Sequence, residues 1–338
     1  MKNITLNKVL VWSGLVALVF VVTFFVWWNK EIVISKGGFA DSETQGLASL
    51  ITGLECNKAL RRPIAVMLAG DLEARPLSGI SKADIVFEMP VAPNGITRYM
   101  AVYQCEEPEE IGSVRSARED FIPLAAAMKA VYAHWGGEHG ALTKLNNKIL
   151  DNIDAMKYET TAFFRKKTIP MPHNGFTDLD LIKKKSEDLS YGLVNEFEGY
   201  LSKTEKIEKR NLGNIANSIE VDYKKPFNVY WSFDSENNIY KRNRNGTPEI
   251  DKNNSEQVSA SVVIVMETKS TFVRDQYIRV SVQGEGTAYI YQGGTVITGK
   301  WKKDPAKLDS RLIFYDSEGK EAKLLPGKIW VEITTDQF

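Results

Sequence analysis

Apolar and polar positions divide this chain into stretches with different rhythms. From Val9 to Trp28 no charge interrupts the apolar run, and about 20 such residues cross the hydrocarbon of a bilayer as one helix. Lys2 and Lys8 precede the run, Lys30 and Glu31 follow it, and Trp27 and Trp28 suit the membrane–water interface. The pattern predicts a cytoplasmic N-terminus and a signal-anchor transmembrane helix within residues 1–30. A cleaved signal peptide is the alternative, but its apolar region is usually shorter and ends on a small-residue cleavage site. Residues 31–59, with Gly37, Gly38 and many polar positions, read as a stalk.

Between residues 60 and 205 short apolar runs alternate with helical periods. Ile64–Leu68, Ile85–Met89, Ile96–Gln104 and Val131–Trp135 predict strands. Residues 120–130, 139–148 and 178–189 predict helices. Lys203–Asn211 is densely charged, so residues 206–222 read as a linker. Beyond it, residues 223–338 hold only short segments rich in Val, Ile, Tyr, Phe and Trp, separated by turns such as Gln292-Gly293-Gly294. The expected fold class is α+β: an N-terminal transmembrane helix, a mixed α/β domain at 60–205, and a mostly-β C-terminal domain at 223–338.

Charge narrows the partners. Lys plus Arg is 43 and Asp plus Glu is 43, so the formal net charge is zero and no global basic field draws in nucleic acid. An anion site must be local. The two cysteines, Cys56 and Cys105, flank predicted strands. In an oxidising compartment they have a disulfide open to them; two separate buried thiols are the alternative.

The stretch from Glu88 to Asp120 concentrates the chemistry. A hairpin turning at Pro93-Asn94-Gly95 leads into a loop with Arg115 and Arg118, and Arg98 lies on its second strand. Planar guanidinium forks bind carboxylate and phosphate. Alternation puts Arg98 on one face with Met100, Val102 and Gln104, where a charge needs a partner. Glu88, on the preceding strand, is the expected partner, and Asp84, Glu119 and Asp120 offer further internal pairing as a rival to ligand binding. Gly136 and Gly137, between a strand and a helix, suggest an anion cradle without a phosphate-loop spacing. His134 and His173 are candidate bases, with Glu88 and Ser116 as further catalytic candidates. The spacing of His134, His139 and His173 is not that of a metal site, and no metal or cofactor is expected.

The motifs form an ordered series. Arg62-Pro63-Ile64-Ala65-Val66-Met67, Ala74-Arg75-Pro76-Leu77-Ser78-Gly79, Ala83-Asp84-Ile85-Val86-Phe87-Glu88, Gly95-Ile96-Thr97-Arg98, Ile111-Gly112-Ser113-Val114-Arg115-Ser116-Ala117-Arg118 and Pro172-His173-Asn174 come first. Tyr240-Lys241-Arg242, Gly284-Glu285-Gly286, Gly299-Lys300-Trp301 and Pro326-Gly327-Lys328-Ile329-Trp330 follow. Together they resemble the YerB-like bacterial lipoprotein family over about residues 50–335. The resemblance implies a two-domain envelope protein of unknown molecular function. It also implies family positions at Arg75, Arg98, Arg115, Arg118 and Arg165, and at Asn174 within its motif. The chain departs from the family by lacking a cysteine near the apolar run for a lipid, by Ser113 where the family usually has Pro, and by His139.

These readings converge on a single-pass protein of the cell membrane with most of the chain outside the cytoplasm. Ligand-binding candidates are Arg75, Arg98, Arg115, Arg118, Arg165 and Asn174, and the expected function is recognition of an anionic group. Peptidoglycan or another anionic envelope polymer is the expected ligand. The alternatives are a hydrolase or transferase acting on envelope polymers, and a scaffold for a protein partner.

Overall fold

The computed structural model describes residues 46–200, 214–274 and 277–337. The expected span Val9–Trp28 lies outside them. Among the described residues no helix is long and apolar enough to cross a membrane. Residues Glu43–Phe338 form one compact unit.

Its spine is an eleven-stranded mixed sheet. In chain order the strands are β1 (Ile64–Ala69), β2 (Ile85–Pro90), β3 (Thr97–Tyr103), β4 (Val131–His134), β5 (Asn152–Asp154), β6 (Asn214–Ile215), β7 (Val262–Thr268), β8 (Gly284–Gln292), β9 (Thr295–Lys303), β10 (Ile313–Tyr315) and β11 (Ile329–Thr335). Their order across the sheet is β10-β9-β8-β7-β11-β2-β3-β1-β4-β5, with β6 added on β9. Strands β1, β2, β3 and most of β7 and β11 are buried on both faces, and β1 and the first five residues of β7 accordingly read as unbroken apolar runs rather than alternating ones. Strand β11 lies between β7 and β2, parallel to both. The two halves of the chain thus meet within one sheet.

A second sheet, formed by short strands between Ser218 and Ala260, contributes to the core on one face with Ile219, Val229 and Trp231, beside Val66, Val86, Tyr99 and Trp330. The helix Ile122–Ala127 and the segment Ile278–Val282 contribute to the core on the other face with Met67, Phe87, Met100 and Ile264. The apolar run from Val258 to Met266 divides between two sheets. Ser259–Ala260 pairs with Tyr240 and Lys241 in the second sheet, whereas Val262 onward pairs in the main one. The backbone N–H groups of Ser261 and Val262 both donate to Lys328 O at the crossing. The sequence pattern did not announce the strand Ser270–Arg274, which pairs with Tyr277–Val280.

Where the halves meet, Glu88 on β2 lies beside Glu332 on β11. Both are fully buried, and like charges in adjacent positions repel. Arg242 and Arg244, from the second sheet, supply the compensation. Arg244 Nη2 donates to both Glu88 oxygens at 2.5 and 2.6 Å. Arg242 pairs with Glu88, with Glu249 and, at 3.0 Å, with Glu332, and its guanidinium lies 4.4 Å from the Trp330 ring centroid. Three carboxyl groups against two guanidiniums leave one negative charge in excess. Burial first, with Glu88 adding, pushes the Glu332 carboxyl up to about 7 against the pull of Arg242. Glu249 is instead held at about 2, because Arg242 and Arg244 outweigh its burial. Hydrogen bonding agrees: the Tyr223 hydroxyl lies 3.1 Å from both Glu88 O and Glu332 Oε2. One hydroxyl proton serves one acceptor, so a proton on Glu332 Oε2, donated to the Tyr223 oxygen, completes the set.

The cysteines are bridged, with Cys56 and Cys105 Cα atoms 5.8 Å apart.

Candidate anion site

Strands β1 and β4 run parallel over Ile64–Val66 and Val131–Ala133. Beyond that pairing a loop takes the place between them: Val114 bridges Leu68, Trp135 N donates to Arg115 O, and Ala117 N donates to Gly136 O. Open α/β sheets bind ligands outside the carboxyl ends of parallel strands, where connections diverge. Here that position carries arginines. Arg98 enters opposite Ala69, the last residue of β1, Arg115 lies on the inserted loop, and Arg118 caps the turn Glu119–Phe121.

Arg98 is 3% exposed. Its Nη1 pairs with Asp71, just past the end of β1, and Arg115 Nε lies 3.8 Å from the same Asp71 oxygen. Arg115 Nη1 also donates to Pro172 O at 3.2 Å. Arg118 Nη1 donates to its neighbour Ala117 O at 3.1 Å, and its guanidinium lies 5.3 Å from the Tyr277 ring centroid. Burial pulls Arg98 down to about 10, and Arg115 and Arg118 add to this against the attraction of Asp71. Asp71 stays below the usual carboxylate range despite its burial, held there by Arg98 and then Arg115. The Nε groups of all three arginines are buried without a hydrogen-bond partner among the described residues.

The acids expected as partners of these arginines are engaged elsewhere. Glu88 was the expected partner of Arg98, but in the β2–β3 register Arg98 stands opposite Met89 and Glu88 opposite Tyr99. The two side chains therefore leave on opposite faces, and Glu88 meets Arg242 and Arg244 instead. Asp84 accepts from Gln104 N and Cys105 N. Glu119 and Asp120 pair with Arg279, which also approaches Glu138.

The remaining candidates distribute as follows. Arg75 donates to Gly70 O at 2.6 Å and lines a separate 210 Å³ cavity with Arg244 and Glu249. Arg165 holds Glu159 through Nε and Nη2, donates to Asn174 Oδ1 at 2.8 Å and covers the Trp135 ring at 4.2 Å. Asn174 is buried, and Arg165 is half-buried. His173 joins Arg98, Arg115 and Asp71: its buried Nδ1 has no partner among the described residues, and burial, then Arg115, lowers its pKa. His134 has no exposed surface, its ring nitrogens lie 2.8 Å from Gly136 O and 3.2 Å from Asn152 Oδ1, and burial lowers its pKa. Ser116 is half-buried on the loop, and His139 is exposed at a helix start. The cradle expected at Gly136 and Gly137 is filled, since Gly136 N donates to Asp154 and Glu138 N to Ala117 O. Among the described residues no cluster of acids, histidines or cysteines could hold a metal ion. Sequence reasoning missed Asp71; its signal was an acid one glycine beyond a buried strand.

Two family models cover this architecture. The N-terminal domain model of the protein of unknown function DUF3048 matches residues 51–192, and its C-terminal domain model matches residues 219–331. The chain belongs to the DUF3048 family. Another member-like relative, YerB of Bacillus subtilis (strain 168), carries a lipoprotein designation; it is 30% identical over 296 residues, which are 86% of this chain and 87% of YerB. The crystal structure of YerB superimposes with a TM-score of 0.77 and covers 86% of this chain and 97% of that one. The YerB-like resemblance read from the motif series is therefore borne out. The arginine group and Asp71 fall in the N-terminal domain match, Arg242 and Arg244 fall in the C-terminal one, and Glu332 lies one residue beyond its end, on β11.

Proposed function

We propose that this DUF3048 protein is a membrane-anchored, extracytoplasmic envelope component that holds an anionic group of a wall polymer on Arg98, Arg115 and Arg118. The observation that carries the reading is a charge imbalance. Arg98 and Arg115 share one carboxylate, Asp71, Arg118 adds a third guanidinium that donates to Ala117 O, and the acids the sequence offered as partners, Glu88, Asp84, Glu119 and Asp120, are engaged with other groups. The lipoprotein designation of YerB supports a place at the membrane. Both cysteines of this sequence lie in the disulfide, so the apolar run Val9–Trp28 is the anchor this sequence offers.

Full-length protein in neutral detergent should co-sediment with purified wall material at low ionic strength and release as salt rises, because salt screens charges beyond about 10 Å at roughly 0.1 M. Arg118→Gln should lower the retained fraction several-fold. No salt-sensitive retention by the unmodified protein would overturn the proposal.

A further inference from the structure

Resting on the membrane anchor in that reading, and not on the arginines as a binding site, we infer that the folded unit sits on the bilayer surface through a leucine face at its root. Four of the five exposed leucines among the described residues, Leu47, Leu50, Leu54 and Leu60, fall within one short stretch and are 43, 46, 50 and 54% exposed. Apolar residues exposed singly need no explanation, but a gathered set marks a contact surface. The stretch has no room to turn them inward. Its inner positions are taken by Ser49, Ile51 and Thr52, all buried. Ser49 Oγ donates to Gln104 Oε1 at 2.9 Å, and Ile51 belongs to the core. Ser49 N donates to Leu54 O at 2.8 Å and Cys56 N to Leu47 O at 2.9 Å, and the Cys56–Cys105 bridge ties the end of this turn to the sheet. Residues Leu193–Tyr200 run alongside, with Asn195 N donating to Leu60 O and Tyr200 N to Leu50 O. They add Val194, also exposed.

The layout of the chain says what covers this face. The described residues begin at Gly46, one position before Leu47. Residues 29–45 separate it from Trp28 at the expected interface, a reach of at most about 60 Å. The leucine face is therefore where the folded unit is tied to its anchor. A tether makes the meeting with lipid intramolecular, so that a weak apolar contact suffices. The exposed charges on the two segments, Glu55, Glu196 and Glu198, are acidic, and Lys58 is paired with Glu107. The contact is thus apolar and open to neutral lipid. A second copy fits less well, because four half-exposed leucines and a valine fall well short of the roughly 800 Å² per partner that a stable interface buries. The charged run Lys203–Asn211, which follows Tyr200, offers Ile207 as its one large apolar side chain.

Orientation follows from the strands. Leu60 precedes β1, and Gly327 N, just before β11, donates to Thr52 O at 2.8 Å. The leucine face thus lies at the amino ends of β1 and β11, whereas Asp71 and Arg98 stand at the carboxyl end of β1. That strand is about 20 Å long. A unit resting on its leucines presents Arg98 and Arg115 on the side remote from the bilayer.

The test uses the full chain in phosphatidylcholine vesicles. Because Cys56 and Cys105 are bridged, Leu60→Cys supplies one free thiol for an environment-sensitive nitrobenzoxadiazole label. Glu285→Cys, at the start of β8 and so at the far end of the sheet, supplies the control. The Leu60→Cys label should emit at shorter wavelength than the control and lose most of its emission to nitroxide-bearing phosphatidylcholine, at low and high salt alike. Leu47→Ser, Leu50→Ser and Leu54→Ser together, all at exposed positions, should return it to the behaviour of the control. Equal quenching at both sites, or at neither, would overturn the docking. So would a blue-shifted label that lipid nitroxide does not quench, because a second copy or another stretch of this chain would then cover the leucines. Release of the protein from vesicles by alkaline carbonate would overturn the anchor and the docking together. Salt-sensitive retention on wall material, measured separately, would still leave the anion site standing.

Discussion

Replacing Glu332 with Gln isolates the carboxyl that the buried cluster leaves over. Its pKa rises from 4.5 to about 7 on folding, chiefly through burial. A raised carboxyl pKa means that the folded chain holds the proton more tightly than the unfolded chain does. The contribution is therefore complete below about pH 4.5 and is lost as the pH climbs towards 7. A rise of about 2.5 units corresponds to about 3 kcal/mol. Gln keeps the acceptor for Trp231 and Arg242 at Oε1 and can donate to the Tyr223 oxygen through Nε2, so it mimics the protonated acid. Urea unfolding followed by tryptophan fluorescence suits the measurement, because Trp231 and Trp330 border the cluster. Between about pH 5 and 8 the unmodified protein should lose about 3 kcal/mol relative to Glu332→Gln. Asp84 and Asp120, each raised to about 6 chiefly by burial, titrate in both proteins and cancel in the difference. Parallel pH profiles for the two proteins would refute the protonated-Glu332 account. So would a loss of about 3–5 kcal/mol in Glu332→Gln at pH 5, the penalty expected for breaking a buried ion pair.

Other expectations follow from the same geometry. Arg242→Met, which leaves Arg244 as the one guanidinium for three buried carboxyls, should cost about 3–5 kcal/mol in the same assay. Reducing the Cys56–Cys105 bridge, which closes a span of 49 residues, should lower stability by about 4 kcal/mol in the chain-entropy account, read as a shifted urea midpoint with and without reductant. Gly70→Ala puts a Cβ 2.2 Å from Thr97 O and should destabilise by about 1–3 kcal/mol through forced backbone movement, visible as a lower Tm.

Local structure was legible because buried strands in a two-faced core write long apolar runs. Ile64, Ile85 and Val131 open their strands where the pattern placed them, and the helix at residues 179–188 falls inside the expected 178–189. The seam between the halves was not legible. Glu88 finds Arg244 at a separation of 156 residues, and no local rule links a carboxyl on one strand to a guanidinium so distant. The arginine group was half legible. Spacing put Arg98, Arg115 and Arg118 on neighbouring elements, but the partner of Arg98 was misassigned because strand register, not proximity, decides which face a side chain leaves from. Arg75 and Arg165 carry the same side chain and share the motif series, yet the chain turns them to Gly70 O and to Glu159.

The position of β11 also dictates when the molecule can close. Its slot lies between β7 and β2, so β2 waits with a bare hydrogen-bonding edge until Ile329–Thr335 arrives. At ribosomal rates, synthesis from Ile85 to Ile329 lasts roughly 10–50 s. An open edge is a template for pairing with other chains. Anything that shields nascent β2 through that interval, a chaperone or a transient strand from the same chain, should therefore decide how much of the protein matures.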